Sequence, residues 1–198
     1  LSNLTVTTLS GKETNANTVA IAAGHMLSTP KLYSPGSVVQ VQTIRSDSRV
    51  TMTAGASGSF TNISQLAITI TPKFNNSKLV MQWVINGEIQ HDAVFLVIKN
   101  GALITTAGET SYNSEAGNTN WSGMSASDYD QNQDSTPATY NLQYFGTTTS
   151  TSAVTFSPAV KTSNTATATF SLNRTIGSSG GDNHENMVST GIIWEIAQ

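Results

Sequence analysis

Short runs of alternating apolar and polar residues recur along the chain after Pro35, separated by turn signals. Val38 to Ile44, Leu66 to Ile70, Leu79 to Ile85, Val94 to Ile98 and Ile192 to Ile196 each have the two-residue period of a strand. In the first run, Val39, Val41 and Thr43 fall on one face and Val38, Gln40 and Gln42 on the other. Leu66, Ile68 and Ile70 alternate with Ala67, Thr69 and Thr71, and Pro72 stops the run. Asn75-Asn76-Ser77 then turns the chain into Leu79–Ile85, where both faces are apolar, so a central strand buried on two sides is predicted.

Asn86-Gly87 and Asn100-Gly101 suit turns with positive φ, and the second predicts a hairpin between Ala93–Ile98 and Ala102–Ile104. Periodicity fails over 105–138, a stretch long enough to be functional or partnered. It returns at Thr139–Phe145, Val154–Phe156, Ala166–Leu172 and Val188–Ile196. The last of these, aliphatic and carrying Trp194, should lie within a sheet rather than at its edge. No segment keeps a helical apolar stripe, so little helix is expected. About eight strands of this kind predict an all-β chain, a two-sheet β-sandwich of jelly-roll type.

Residues 1–36 differ. Leu4, Val6 and Leu9 form one short apolar piece, and Val19, Ile21 and Leu27 belong to another, with Gly and Pro interrupting. Such pieces cannot bury themselves alone. They read as an extended N-terminal arm that docks on a neighbour or exchanges between subunits, or else as ordinary first strands of the body, which occupies 37–198. The start, Leu1-Ser2-Asn3-Leu4, has neither a basic nor an apolar leader region, so no signal peptide is expected.

Composition narrows the function. Thr, Ser and Asn make up about a third of the 198 residues, and only 11% are charged, well under the usual ~25%. Hydroxyls and amides must therefore solvate the surface. A net charge of −3 without a basic block lacks the footprint of nucleic-acid binding. No apolar run is long enough for a membrane helix. The absence of cysteine removes disulfides and thiolate metal sites. It suits assembly in a bacterial cytoplasm, and the Asn-x-Ser/Thr triplets at Asn3, Asn62, Asn75, Asn120 and Asn173 then read as accidents of composition. The moderate apolar content suggests that subunits share their burial.

Candidate chemistry is sparse. Asp128, Asp130, Asn132 and Asp134 place side-chain oxygens at alternate positions, as at the start of a calcium loop. Gln133 replaces the turn glycine and Thr139 the closing carboxylate, so the competing reading is a solvated acidic loop. Tyr112, Trp121, Met124 and Tyr129 set large side chains in an otherwise polar loop. They read either as a stacking surface for a sugar or partner, or as anchors that pin the loop down. His25, His91 and His184 do not cluster, and no zinc-binding spacing exists. Nucleophile-elbow, zinc-protease and phosphate-loop motifs are absent. A carboxylate pair drawn from Glu88, Glu109, Asp128 and Asp130 would be needed for glycoside cleavage.

Three stretches carry a resemblance. Ile21-Ala22-Ala23-Gly24-His25-Met26-Leu27 leads to Tyr33-Ser34-Pro35-Gly36-Ser37-Val38-Val39-Gln40-Val41. Ile70-Thr71-Pro72-Lys73-Phe74-Asn75-Asn76-Ser77-Lys78 follows, and the chain ends on Trp194-Glu195-Ile196-Ala197. These are similar to the arm junction, a strand–turn motif and the terminal strand of tail-fibre and virion surface proteins of aquatic bacteriophages, cyanophages included. The opening Asn3–Gly11 resembles the short β-repeats of phage fibre shafts.

The resemblance implies a homotrimeric jelly-roll body, TNF/C1q-like in outline, fixed to the particle by its arm. It implies a virion surface location, with major capsid or tail subunits as partners. The role would be a non-enzymatic one: capsid decoration, cement or a short fibre. The alternatives are a fibre tip that recognises a host surface glycan or protein and, more remotely, a polysaccharide-degrading enzyme.

Overall fold

The computed structural model describes residues 33–56, 59–104, 123–127, 136–162, 165–177 and 185–198. Twelve strands in this part form two antiparallel sheets packed as a β-sandwich; it contains no α-helix, only a 3-10 turn at Ser64–Leu66. The first sheet contains β1 (Val38–Ser46), β2 (Val50–Ala54), β5 (Lys78–Ile89), β9 (Ala138–Thr147), β11 (Ala168–Leu172) and β12 (Ser189–Ile196). The second contains β3 (Thr61–Asn62), β4 (Ile68–Ile70), β6 (Ala93–Lys99), β7 (Ala102–Leu103), β8 (Ser125–Ala126) and β10 (Val154–Thr162).

The 12-residue β5 is the spine of the first sheet. One edge pairs with β9 from Lys78 to Gly87. The other pairs with β12 up to Val84, then with β11 from Gly87 to Ile89. The chain runs straight through Asn86-Gly87, so the turn predicted there does not form. Gly87 serves close approach instead: a Cβ there would lie 2.3 Å from the Ser171 carbonyl oxygen. The turn comes later, at His91, whose φ is 67°. The other predicted turns do form, with positive φ at Asn76 and at Asn100-Gly101, where β6 folds back onto β7.

Between the sheets, Leu79, Met81, Trp83 and Ile85 of β5 meet Leu66, Ile68, Ile70, Phe95, Phe156 and Val160. Phe95 stacks on Tyr140 at 4.3 Å and meets Phe170 edge-on at 5.5 Å. The Trp83 indole N–H donates to the Leu66 carbonyl at 2.9 Å, so the largest core side chain also ties the two layers together. Gly191 makes room for that ring, since a Cβ there would sit 2.5 Å from two of its atoms.

The strands buried on two sides are β6 and β10, not β5. Every residue from Ala93 to Ile98 is buried. Leu96, Ile98 and Ala159 form a second small cluster with Phe60 and Leu103. In β5, the outward Val80 and Val84 remain half-buried. The C-terminal strand does lie within a sheet, between β1 and β5.

The first strand departs from its predicted grouping, because a bulge between Val38 and Gln40 puts Val38 on the exposed side with Val41 and Thr43. Val41 and Thr43 pair with Trp194 and Ile192 and point outward, while Gln40 and Gln42 pair with Glu195 and Ile193 and point inward. Glu195 is the cause. Its carboxylate is fully buried and accepts from the backbone N–H groups of Lys73 (2.9 Å) and Phe74 (3.2 Å), from Ser77 Oγ (2.8 Å) and from Gln40 Nε2 (2.6 Å). A buried carboxylate is tolerated only with such partners, so Gln40 must turn in to meet it.

Toward the other end of the sheet, Asn173 plays a similar part at φ 57°. Its amide donates to the Ser46 and Ser48 carbonyls at 2.9 and 3.0 Å and accepts from Ser189 Oγ at 2.6 Å. Being fully buried and hydrogen-bonded, Asn173 is no glycan acceptor.

Glu195→Ala strands several buried donors and should cost about 3 kcal/mol or more in urea denaturation, with Glu195→Gln costing less. Gly191→Ala forces a methyl into the Trp83 ring and should cost about 1–3 kcal/mol by the same measurement.

Candidate interaction surface

Alternation fixes which side chains of the first sheet face away from the core. Across β1, β12, β5 and β9, the pairing sets Val41 beside Trp194, Trp194 beside Val80, and Val80 beside Phe145. This makes an apolar row running across four strands. Phe145 is 65% exposed and Val41 43%, while Trp194 and Val80 are half-buried. On one side lies the row Val38, Ile196, Lys78 and Thr147, with Val38 51% exposed. On the other lie Thr43, Ile192, Gln82 and Gln143, then Arg45, Thr190, Val84 and Asn141.

Only Lys78 and Arg45, in the two outermost rows, bring charge to these sixteen pairing positions. Arg45 is exposed and pairs with Asp47 at 3.3 Å. Between the last two rows a shallow groove of about 380 Å³ crosses β1, β12 and β5. Val84, Ile192, Ile44 and Gly191 give it an apolar base, and Thr43, Arg45, Gln82 and Thr190 complete its lining. A contiguous apolar surface of this kind is characteristic of contact sites rather than of free surface. Among the described residues, β1 pairs only with β12 and β9 only with β5, so both flanks of the face end in unpaired strand edges.

Among the described residues no three His, Cys, Asp or Glu side chains come together as a metal site would require. Glu88 is buried, and its oxygens accept from Thr136 Oγ1 (2.8 Å), the Thr136 N–H (3.3 Å) and the Ile176 N–H. It therefore bridges the start of β9 to the chain beyond β11, and its lone pairs are committed to that task. Glu109, Asp128 and Asp130, its prospective partners in glycoside cleavage, lie outside the described residues. His91 forms the β5–β6 turn; His25 and His184 lie outside the described part.

Of the four candidate binding side chains, only Met124 is described. It packs against the main core, and its N–H donates to the Phe95 carbonyl at 2.7 Å, so it anchors its segment to β6. Within the stretch read as a loop, Ser125–Ala126 forms β8 on the same strand. Tyr112, Trp121 and Tyr129 lie outside the described residues. So do the calcium candidates Asp128, Asp130, Asn132 and Asp134, and the arm residues Leu4, Val6, Leu9, Val19, Ile21 and Leu27.

Sequence reasoning missed the exposed row, although its signal was present. Apolar residues on both faces of Leu79–Ile85 predict two-sided burial, and the described chain covers only one side. Compared with known proteins, the chain matches no family model and no curated sequence.

Lys161 is the one described lysine that is buried. It stands two residues from Ala159, on the face of β10 turned away from the main core, opposite Val94. Desolvation there holds its pKa below the usual 10.5. The unfolded chain thus binds the proton more tightly. The resulting penalty on folding is full below the folded-state pKa and is relieved as pH climbs toward 10.5. The stability of Lys161→Met relative to the native chain should therefore fall between pH 7 and about pH 10, read by urea denaturation at each pH. A difference that does not change with pH would contradict the burial argument.

Proposed function

We propose that the chain is a non-enzymatic structural protein of a bacteriophage virion surface, acting as a homotrimer of jelly-roll bodies. The observation that carries this reading is the broad apolar face of the first sheet, left uncovered by the described chain and flanked by two open strand edges. A rigid sandwich that presents such a face is built to be packed against.

Strand order supports the jelly-roll reading. With β2, β3, β7 and β11 set aside as additions, the remaining eight strands pair as β1-β12-β5-β9 in one sheet and β4-β10-β6-β8 in the other. The resemblance to phage surface proteins gains support of its own, because two of its motifs meet in space. Glu195, of the terminal Trp194-Glu195-Ile196, is hydrogen-bonded by Lys73, Phe74 and Ser77 of the Ile70–Lys78 motif. Residues 1–36 would form the attachment arm, with Leu4, Val6, Leu9, Val19, Ile21 and Leu27 as its apolar contacts to other virion subunits.

In this role hydroxyl-rich strands replace charge as the source of solubility, and cross-strand pairs such as Thr69–Thr155 (2.8 Å) and Thr51–Ser171 (3.1 Å) reinforce them. Labelling the protein on purified particles and imaging them tests the assignment. Label over the capsid shell, with copies in proportion to capsid subunits, is expected for a decoration protein. Label confined to fibres would instead make it a fibre component that meets host surface glycan or protein. Absence from purified particles would refute a virion role.

A further inference from the structure

We infer that the end of the sandwich where β6, β9 and β10 part binds a sugar ring bearing a carboxylate, with Lys99 selecting the acid. The inference depends on this end of the fold alone and not on how copies of the chain assemble.

Lys99 occupies a position of the core row. Ala93, Phe95 and Val97 point from β6 into the main core, and alternation puts Lys99 next on that inward face. It stays half-buried because the row ends where the two sheets separate. Its ammonium lies 5.9 Å from the centre of the Phe156 ring, whose residue pairs with Lys99 across β10. On the facing sheet the inward row of β9 runs through Tyr140, Leu142 and Tyr144 and ends on Gly146, which contributes no side chain.

A cavity of about 230 Å³ opens between the sheets here. Leu79, Val154 and Phe156 give it an apolar part, and Lys99, Asn100 and the hydroxyls of residues 147–152 a polar one. No Asp or Glu lines it, so its one charged side chain is a cation. The walls are held in place. Thr148 exchanges backbone hydrogen bonds with Asn76 and Ser77, each at 2.9 Å, and its hydroxyl donates to the Phe74 carbonyl at 2.8 Å. Asn100 Oδ1 accepts from the Thr155 N–H at 3.0 Å, which orients the amide and leaves its NH2 group to donate.

These groups describe a ligand. Pockets for drug-sized molecules begin at roughly 300 Å³, so this one takes a single ring. The apolar part suits the C–H face of a pyranose, and the amide and hydroxyls suit its hydroxyl groups. One ammonium balances one carboxylate. A phosphate would call for a second cation or a nest of backbone N–H groups. A hexuronate combines the ring, the hydroxyls and the single negative charge.

Titration calorimetry on the full chain, with methyl glucuronide, methyl glucoside, acetate and inorganic phosphate as probes, tests the inference. The glucuronide should bind with a Kd on the order of 1 mM, as befits one ring in an open site. The glucoside should bind about 10-fold more weakly, the worth of one charge-assisted hydrogen bond. Acetate and phosphate should both bind more weakly than the glucuronide. Lys99→Met should lower affinity for the glucuronide to that for the glucoside and leave the glucoside unaffected.

Ala153 is exposed and lines the cavity, so Ala153→Trp fills it without entering the core and should abolish binding of both sugars. Both variants should keep the near-UV circular dichroism of the native chain; if Lys99→Met does not, Ala153→Trp still decides. Equal affinity for the two sugars, or phosphate binding as tight as the glucuronide, overturns the inference. So does binding that survives in folded Ala153→Trp, or a native chain that binds none of the probes.

Discussion

The buried carboxylate of Glu195 decides more of this structure than any other group. Once it points into the sandwich, strict alternation sends Trp194 and Ile196 outward. Gln40 must then face inward to satisfy it, which sends Val41 outward as well. One polar requirement inside the fold thus sets apolar side chains on its surface. The bulge at Val39, where the register with β12 shifts, lets β1 meet this demand while keeping Val38 opposite Ile196.

The same carboxylate fastens the end of the chain. It holds the loop between β4 and β5 through two backbone N–H groups and the Ser77 hydroxyl. Asn173 and Ser189 do comparable work at the start of β12, joining it to the end of β1 and to β5 through Asn86. Between these two polar nodes the sheet is held by Trp83, which fills the space that Gly191 leaves and reaches across to Leu66. The outward face is therefore braced from beneath at both ends and in the middle. Such bracing suits a surface used for packing, because little entropy remains to be lost on association.

Low charge takes on meaning in this setting. A sheet face whose charges lie only at its margins can pack its centre against a partner with little repulsion or ion desolvation. Thr, Ser and Asn keep the rest of the body wet, and their cross-strand hydroxyl pairs tie neighbouring strands. Glu88, which could have been read as a catalytic acid, is instead a structural acceptor between the start of β9 and Ile176.

Much of the architecture was legible in the chain. Alternation placed Leu66, Ile68 and Ile70 in the core, Asn100-Gly101 marked its hairpin, and the aliphatic last strand lay within a sheet as expected. These features depend on local periodicity and on the steric freedom of Asn and Gly, which every stretch of sequence carries with it. The inward face of β1, the straight passage of β5 through Asn86-Gly87 and the true two-sided burial of β6 were not legible. Each depends on a partner distant in sequence: Glu195 for Gln40, Ser171 for Gly87, and Phe60 with Ala159 for Leu96. Periodicity alone prescribes that strands form and that Leu79–Ile85 carries apolar residues on both faces. Only the tertiary structure decided which of those faces the chain could cover, because burial is shared between segments that meet only after folding.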